Sequence, residues 1–460
     1  MQILKQMKQF MEPQSVALIG VSRYTGEGAF NILENLLSYS YHGRIYPVNP
    51  SVSEILGVKT FPTVTEIADD IDLAIIATPR PLVPRLLKEC TESNIKSAVI
   101  VAQGFSDAND EESKQLQKEL TDIVKDRQTR IVGPNTFGTA NVFTNFSSSF
   151  VKIRMKKQPT GVICQTGVFF IGFPEMTFVG KGIDLGNACD ISFADSLEYF
   201  ANDSETKVVA MHIEGMQDTR NFIDTCKRIS PKKAILALKT GKSEQAAKAA
   251  QSHTGSLAGK KEVWEAALKQ SGVIHVADLE ELIDLTRTLS MLPFMETPKI
   301  GVITITGGLG VMAIDACQNS DMKIDKLSPS TKRLLDTMSP SWLNIGNPVD
   351  IWPAMMTSQP PIKPLIDGLR VLLSDPQIGA VLFIGAAFDE KWGGGLCQLL
   401  NELAATYKDK PLACCIYGPY TDVTIKELQD AGKVVGFTTP ERAIRALSRL
   451  SEYSQLRSRL

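Results

Sequence analysis

The chain has 460 residues, a formal charge of −2, and 43% hydrophobic against 22% charged residues. This is the balance of a globular protein of two to four ordinary domains, and with no basic excess it argues against a nucleic-acid or anionic-membrane binder. Apolar runs such as IGAVLFIGAAF (Ile378 to Phe388) fall far short of the roughly 20 residues that span a bilayer; the N-terminus reads as no signal peptide, and eight scattered cysteines without a CxxC pair read as reduced core thiols of a cytoplasmic protein.

Short apolar, β-rich runs alternate with longer helical patterns, which predicts an α/β protein with largely parallel sheets in three blocks. In the first block, 1–129, the expected strands are SVALIG (Ser15 to Gly20), RIYPVN (Arg44 to Asn49), DLAIIAT (Asp72 to Thr78) and SAVIVA (Ser97 to Ala102), with RIVG (Arg130 to Gly133) beside them. Helical patterns AFNILENLLSYS, PLVPRLLKECTES and EESKQLQKELTDIV lie between. In the second, 130–292, the strands are GVICQ (Gly161 to Gln165), KVVAMHIE (Lys207 to Glu214), KAILALK (Lys233 to Lys239) and VIHVA (Val273 to Ala277), closed by the amphipathic helix LEELIDLTRTLSML. PFMETP (Pro293 to Pro298) reads as a linker, and the third block, 299–460, restarts with the strand KIGVITI. GVICQTGV and GVITITGG share a strand, glycine-turn, helix form without being a sequence repeat.

GVSRYTGEG, Gly20 to Gly28, follows the first strand. A glycine turn that opens a helix offers free N–H groups and a positive dipole end to phosphate. Two features argue against NAD. Ser22 stands where a dinucleotide turn needs its second glycine, and the second strand ends in Asn49-Pro50, with no acid for a ribose diol. A nucleotide-like ligand other than NAD is expected, although a purely structural turn would read the same way. TPRP (Thr78 to Pro81) and AQGF (Ala102 to Phe105) end the next strands, where open α/β sheets bind ligands. GPNTFG (Gly133 to Gly138) adds the Asn135 amide, and CQTGVF (Cys164 to Phe169) is a second candidate phosphate cradle. Glu214 closes an apolar strand, a place for a functional carboxylate or for an ordinary helix cap.

His253, one of only four histidines, sits in the small, hydroxyl-rich stretch QSHTGSLAGK. Long loops in compact domains tend to be functional. Such a histidine serves as general base, metal ligand or nucleophile. No second His or Cys stands at metal-ligand spacing and no GxSxG elbow is present. A nucleophile accepting a phosphoryl group fits best, with Glu214 holding the Nδ1 proton. His212 and His275 lie inside apolar strands and read as core residues; His42 reads as a turn.

SVALIGVSR, GRIYPVNP, GPNTFG, CQTGV, LGNACDISFADSLEYFANDSETKVV, IEGM, KTGKSEQAAKAAQSHTGSLAG and GVITITGGLGVMAIDA, in this order, resemble the α subunit of NDP-forming acyl-CoA synthetases, relatives of succinyl-CoA synthetase. The resemblance covers nearly the whole chain. It implies an N-terminal Rossmann-like CoA-binding domain followed by two flavodoxin-like, succinyl-CoA synthetase-like domains. It implies that His253 is the phosphorylated histidine and that Glu214 orients it. Gln165, Thr166 and Gly167 would hold phosphate together with Asn135, and Gly20, Ser22, Arg23, Asn49, Pro79 and Gln103 would line the coenzyme A site. Phosphate would attack an acyl-CoA to give acyl phosphate, His253 would take the phosphoryl group, and ADP would become ATP. The nucleotide and Mg²⁺ would sit on a separate ATP-grasp β subunit in an α₂β₂ assembly, since no Walker A motif occurs here. Thr166, Val168 and Phe169 depart from the small SQSGA-like turn of the family, which points to an acid larger than acetate; GGLG at Gly307 to Gly310 departs from a GGPG-like form. The rival readings are a non-catalytic acyl-CoA-binding or regulatory chain, for which His253 and Glu214 together would be superfluous, and a dinucleotide-dependent dehydrogenase, which Ser22 and Asn49 disfavour.

Overall fold

Strands covered on both faces are unbroken apolar runs, and such runs build the first sheet of the computed structural model. The structure describes residues 2–108, 110–125, 129–173, 176, 179–243, 245–246, 261–318 and 320–458; His253 lies outside the described residues. The chain forms β1 (Ser15–Ile19), β2 (Arg44–Val48), a small antiparallel hairpin of β3 (Glu54–Ile55) and β4 (Val58–Lys59), then β5 (Leu73–Ile76), β6 (Ser97–Ile100) and β7 (Arg130–Val132). The five main strands are parallel in the order β2-β1-β5-β6-β7. The order reverses between β1 and β5, the switch point where doubly wound sheets open a crevice beyond their strand ends. Gly20 and Thr78 stand there.

From β7 the chain crosses through Gly133 to Phe137 into a second sheet. Its strands are β8 (Gly138–Asn141), β9 (Phe146–Ser147), β10 (Thr160–Cys164), β11 (Lys181–Asp184), β12 (Val208–Ile213), β13 (Ala234–Lys239) and β14 (Ile274–Val276), in the order β14-β13-β12-β10-β11-β8-β9. β10 to β14 run parallel, while β8 pairs antiparallel with β11 and with β9. The sequence reading had no strand at β8, β9 or β11: GTAN, FS and KGID are too short, too polar or too glycine-rich to display a periodic signal. It also had no helix at Gln2–Met11. A further difference follows Gly167, where the helix is a single turn, Val168–Ile171, which has little dipole to offer an anion.

The first two sheets form one compact unit, Met1–Leu282. Arg130 at the start of β7 explains part of this. Its Nε donates to Asp190 at 2.7 Å, and Ile131 N donates to the other oxygen of the same carboxylate at 2.7 Å. The N-terminal helix adds two more ties: Thr139 Oγ1 donates to Phe10 O at 2.7 Å, and Tyr199 Oη donates to Glu12 at 2.6 Å. One apolar core runs from Met7 and Phe10 through Val99 and Phe146 to Ile163 and Met211.

The second unit is Ile283–Leu460. Its sheet holds β15 (Ile300–Thr304), β16 (Val349–Asp350), β17 (Ala380–Ala386), β18 (Leu412–Tyr417) and β19 (Val435–Phe437), all parallel in the order β16-β15-β17-β18-β19. The division falls inside the helix Leu279–Met291, which the sequence reading assigned whole to the second block. All eight cysteines are free and six are buried. Among the described residues no helix is long and apolar enough to cross a membrane.

Candidate active site

The glycine turn after β1 is shaped by close approach. Gly20 has φ +84°, and a Cβ there would lie 2.3 Å from Thr78 Cγ2 and 2.8 Å from Ala77 O. The turn is largely self-satisfied. Asn31 Nδ2 donates to Ser22 O and Tyr24 O at 2.9 Å each, the Ser22 hydroxyl accepts from Tyr24 N at 3.0 Å, and Glu34 accepts from Gly26 N. Asn49 donates to Val21 O at 3.3 Å and accepts from Ser51 N at 2.9 Å. Ser22 and Asn49 therefore shape the loop. Gly20 and Ser22 line a cavity of about 110 Å³. Arg23, Asn49 and Pro79 stay outside its lining and that of the larger cleft beside it.

That cleft has a volume of about 510 Å³ and collects residues from both sheets: Thr78 and Gln103 from the first, Asn135 and Phe137 from the crossing, Gln165 and Gly167 from the second. Asn135 holds φ +60°, a left-handed conformation that asparagine tolerates. Its N–H donates to Ala102 O at 2.9 Å. The rest of the crossing is fastened to Asp184, whose Oδ2 accepts from Phe137 N at 2.8 Å and whose carbonyl accepts the Thr136 hydroxyl. Asp184 is 1% exposed. Burial pushes its carboxyl up to about 6, against the lowering effect of hydrogen bonds from Phe137, Gly186, Thr136 and Cys164. The sequence reading missed Asp184 because its strand was invisible there.

Gln165 closes the inner end of the cleft. It is 3% exposed. Its Oε1 accepts from Glu214 N at 2.8 Å and Gly215 N at 3.1 Å, joining the ends of β10 and β12. Its Nε2 is buried without a hydrogen-bond partner, as is Thr78 Oγ1, and both residues line the cleft. Buried donors of this kind are costly unless a ligand completes them, so the lining suits a ligand rich in acceptor oxygens. Glu214 is half-buried at the end of β12, outside the cleft lining. Its carbonyl accepts from Lys239 Nζ at 2.8 Å. Lys239 is buried, with Nζ 5.4 Å from the Trp264 ring centroid. Desolvation lowers its amine to about 8, the Glu214 carboxylate opposing and Lys242 adding to the shift. Lys239 was also missed, since a lysine at a strand end reads as surface. His212 is buried in the core, stacked on Phe169 with centroids 5.2 Å apart, and shares a hydrogen bond of 3.2 Å with Thr240 Oγ1.

The sequence-predicted residues thus divide. Gln103, Asn135, Gln165, Thr166 and Gly167 share one cleft, with Gly20 and Ser22 in the neighbouring cavity. Val168 is 43% exposed and Phe169 is packed on His212, so neither narrows the cleft. The aromatic residues that do are Phe30, Phe137 and Phe150.

A CoA binding domain family matches residues 14–141, and a succinyl-CoA ligase-like flavodoxin domain family matches residues 159–289. The chain is 33% identical over 460 residues to the α subunit of ADP-forming acetate–CoA ligase I from Pyrococcus furiosus, covering 97% of each. It is 35% identical over 457 residues to the ADP-forming acetate–CoA ligase of Methanocaldococcus jannaschii, covering 98% of this chain and 64% of that one; it spans 66% of a similar ligase of Archaeoglobus fulgidus. The solved dinucleotide-forming acetyl-coenzyme A synthetase 1 of Ca. Korarchaeum cryptofilum, in complex with phosphate and ADP, superposes with a TM-score of 0.88 at 28% identity, over 99% of this chain and 98% of that one. With that extent of identity from end to end, and a fold that follows the same domains in the same order, the chain belongs to the ADP-forming acetate–CoA ligase family.

Proposed function

We propose that the chain is the α subunit of an ADP-forming acyl-CoA synthetase. It would interconvert acyl-CoA, ADP and phosphate with a carboxylic acid, CoA and ATP. The observation that carries this reading is the cleft of about 510 Å³ that the two sheets of the first unit share. It sets the strand ends suited to CoA, at Thr78 and Gln103, against Asn135 and the Gln165-Thr166-Gly167 turn, with the buried Gln165 donor at its inner end. The three domains are proposed as 1–129, 130–292 and 299–460, in a cytoplasmic protein.

The chemistry follows from that placement. A phosphate oxygen attacks the thioester carbonyl, the C–S bond breaks, and the sulfur leaves as CoA after taking a proton. The acyl phosphate remains beside Gln165 and Thr166. His253 Nε2 then attacks phosphorus, the P–O bond to the acyl group breaks, and a carboxylate departs. The roles of Glu214 and Gln165 are linked: the glutamine accepts both N–H groups at the end of β12, which fixes where the Glu214 backbone lies. Phosphoryl transfer needs position and charge stabilisation more than covalent help, which suits such a cradle. The phosphoryl group passes to ADP on a separate ATP-grasp β subunit that also holds Mg²⁺, in an α₂β₂ assembly. The full-length match to a chain named as an α subunit, and the extra third of the longer relatives, support that division.

The test is phosphohistidine formation. The purified chain is incubated with phosphate and a panel of acyl-CoAs, and with the candidate β chain plus ATP. An acid-labile, base-stable phosphoryl adduct on His253, absent from His253→Ala, is expected by mass spectrometry. No adduct from a folded chain that binds CoA would overturn the ligase reading in favour of a binding module.

A further inference from the structure

The cleft has a polar floor and an aromatic wall. Phe137 and Phe150 have ring centroids 4.8 Å apart at 59°, Phe150 and Phe30 5.8 Å apart at 85°, and Phe137 and Phe170 6.5 Å apart at 75°. The wall of Phe137, Phe150 and Phe30 is therefore continuous, backed by Phe170, buried at 1%, and ending at Phe30, exposed at 69%. Rings in offset and edge-to-face contact hold one another in place. Phe137 is fixed from two further sides. Its N–H is held by the buried Asp184 carboxylate, and a Cβ on Gly167 would fall 2.4 Å from its ring, so the glycine turn lies directly against it. The wall thus begins where phosphate would meet a thioester carbonyl, and the substituent on that carbonyl has the rings beside it.

The charges at the cleft point the same way. Among the described residues that line it there is no lysine, arginine or histidine, and the ionisable group is Asp184. A second carboxylate on the acyl group would meet no cation among these described residues and would face the Asp184 carboxyl. A two-carbon acyl group would leave most of the wall uncovered, whereas the volume of about 510 Å³ is within the usual range for larger organic ligands.

Resting on the acyl-CoA synthetase reading above, we propose that Phe137 and Phe150 form the acyl subsite. The subsite takes an uncharged, apolar acyl group of aryl size in preference to acetyl or succinyl. Specificity then comes from apolar area covered in the cleft, with discrimination of about tenfold or more for each group of carbons that reaches the rings.

The test is calorimetric titration of the full chain with CoA, acetyl-CoA, succinyl-CoA and phenylacetyl-CoA, repeated on Phe137→Ala, Phe137→Leu and Phe150→Leu. Phenylacetyl-CoA should bind about tenfold or more tightly than acetyl-CoA, and succinyl-CoA no better than acetyl-CoA. Phe137→Ala should bring phenylacetyl-CoA to within about threefold of acetyl-CoA and leave the affinity for CoA nearly unchanged. The two leucine variants keep the wall apolar, so they read the same ratio if the alanine variant does not fold. Equal affinity for acetyl-CoA and phenylacetyl-CoA in a chain that binds CoA would overturn this inference alone. Loss of CoA affinity in step with its acyl derivatives would assign the rings to the pantetheine arm and overturn it too. A folded chain that binds none of the four would overturn the acyl-CoA synthetase reading itself.

Discussion

Asp184 shows what burial does to one carboxyl. An unfolded aspartate titrates near 3.8 and Asp184 near 6, burial being the main cause. Between those values the folded chain keeps a proton that the unfolded chain has released. The stability this group contributes is complete below pH 3.8 and is lost as pH rises to about 6, a change of roughly 3 kcal/mol at most. Asp184→Asn removes that dependence. Urea unfolding at pH 4, 5, 6 and 7 should show wild type losing ground to the variant as pH rises; a difference that stays flat would mean that Asp184 is ionised throughout. Other site residues divide by how they announce themselves. Gln165 and Glu214 were legible because each is a polar residue ending an apolar run. Asp184 and Lys239 were not, because burial is set by neighbours distant in sequence: Phe137 donates to Asp184 from 47 residues away, and Trp264 on the helix Lys261–Gln270 covers Lys239 at the end of β13.

Elements whose capping and periodicity are local were legible, and those that rely on partners were not. The helix Ile32–Ser38, expected from AFNILENLLSYS, opens with the Asn31 side chain accepting from Glu34 N at 3.1 Å, a cap readable three residues apart. β8 and β11 have no such local mark and exist because they pair with each other. The helix Leu279–Met291 was legible as amphipathic, but its role was not. From Ile283 onward it belongs to the second unit, where Asp284, 1% exposed, accepts from Arg287 at 2.6 Å and from two nitrogens of Arg442 at 2.8 and 2.9 Å. Arg287 also donates to Gly436 O at 3.1 Å. Removing one partner of a buried ion pair leaves uncompensated charge. Asp284→Ala should therefore destabilise the second unit by about 3–5 kcal/mol, read as a lowered urea midpoint. A loss under about 1 kcal/mol, the range of exposed pairs, would show that water reaches the two guanidinium groups.

At the scale of the whole chain the clearest readout is ligand linkage. The proposed function requires CoA to bind the first unit, and a ligand at 100 times its Kd adds about 2.7 kcal/mol to stability. CoA should raise the melting temperature, and NAD and NADP should not, since Ser22 replaces the second glycine a pyrophosphate needs and β2 runs into Asn49, without an acid for the ribose diol. A shift with NAD alone would point to a dehydrogenase. The sequence by itself determined the α/β class, most of the parallel strands, the glycine turns at their ends and the family. All of these are carried by residues close together in the chain, through side-chain period, backbone freedom and motif spacing. Only the tertiary structure decided that the first two blocks are one unit, that residues from Phe30 to Asp184 face one cleft, and that three phenylalanines wall it. The reason is physical: a cleft is made by strand ends that converge in space, and the packing that converges them joins residues dozens of positions apart, with no periodic trace along the chain.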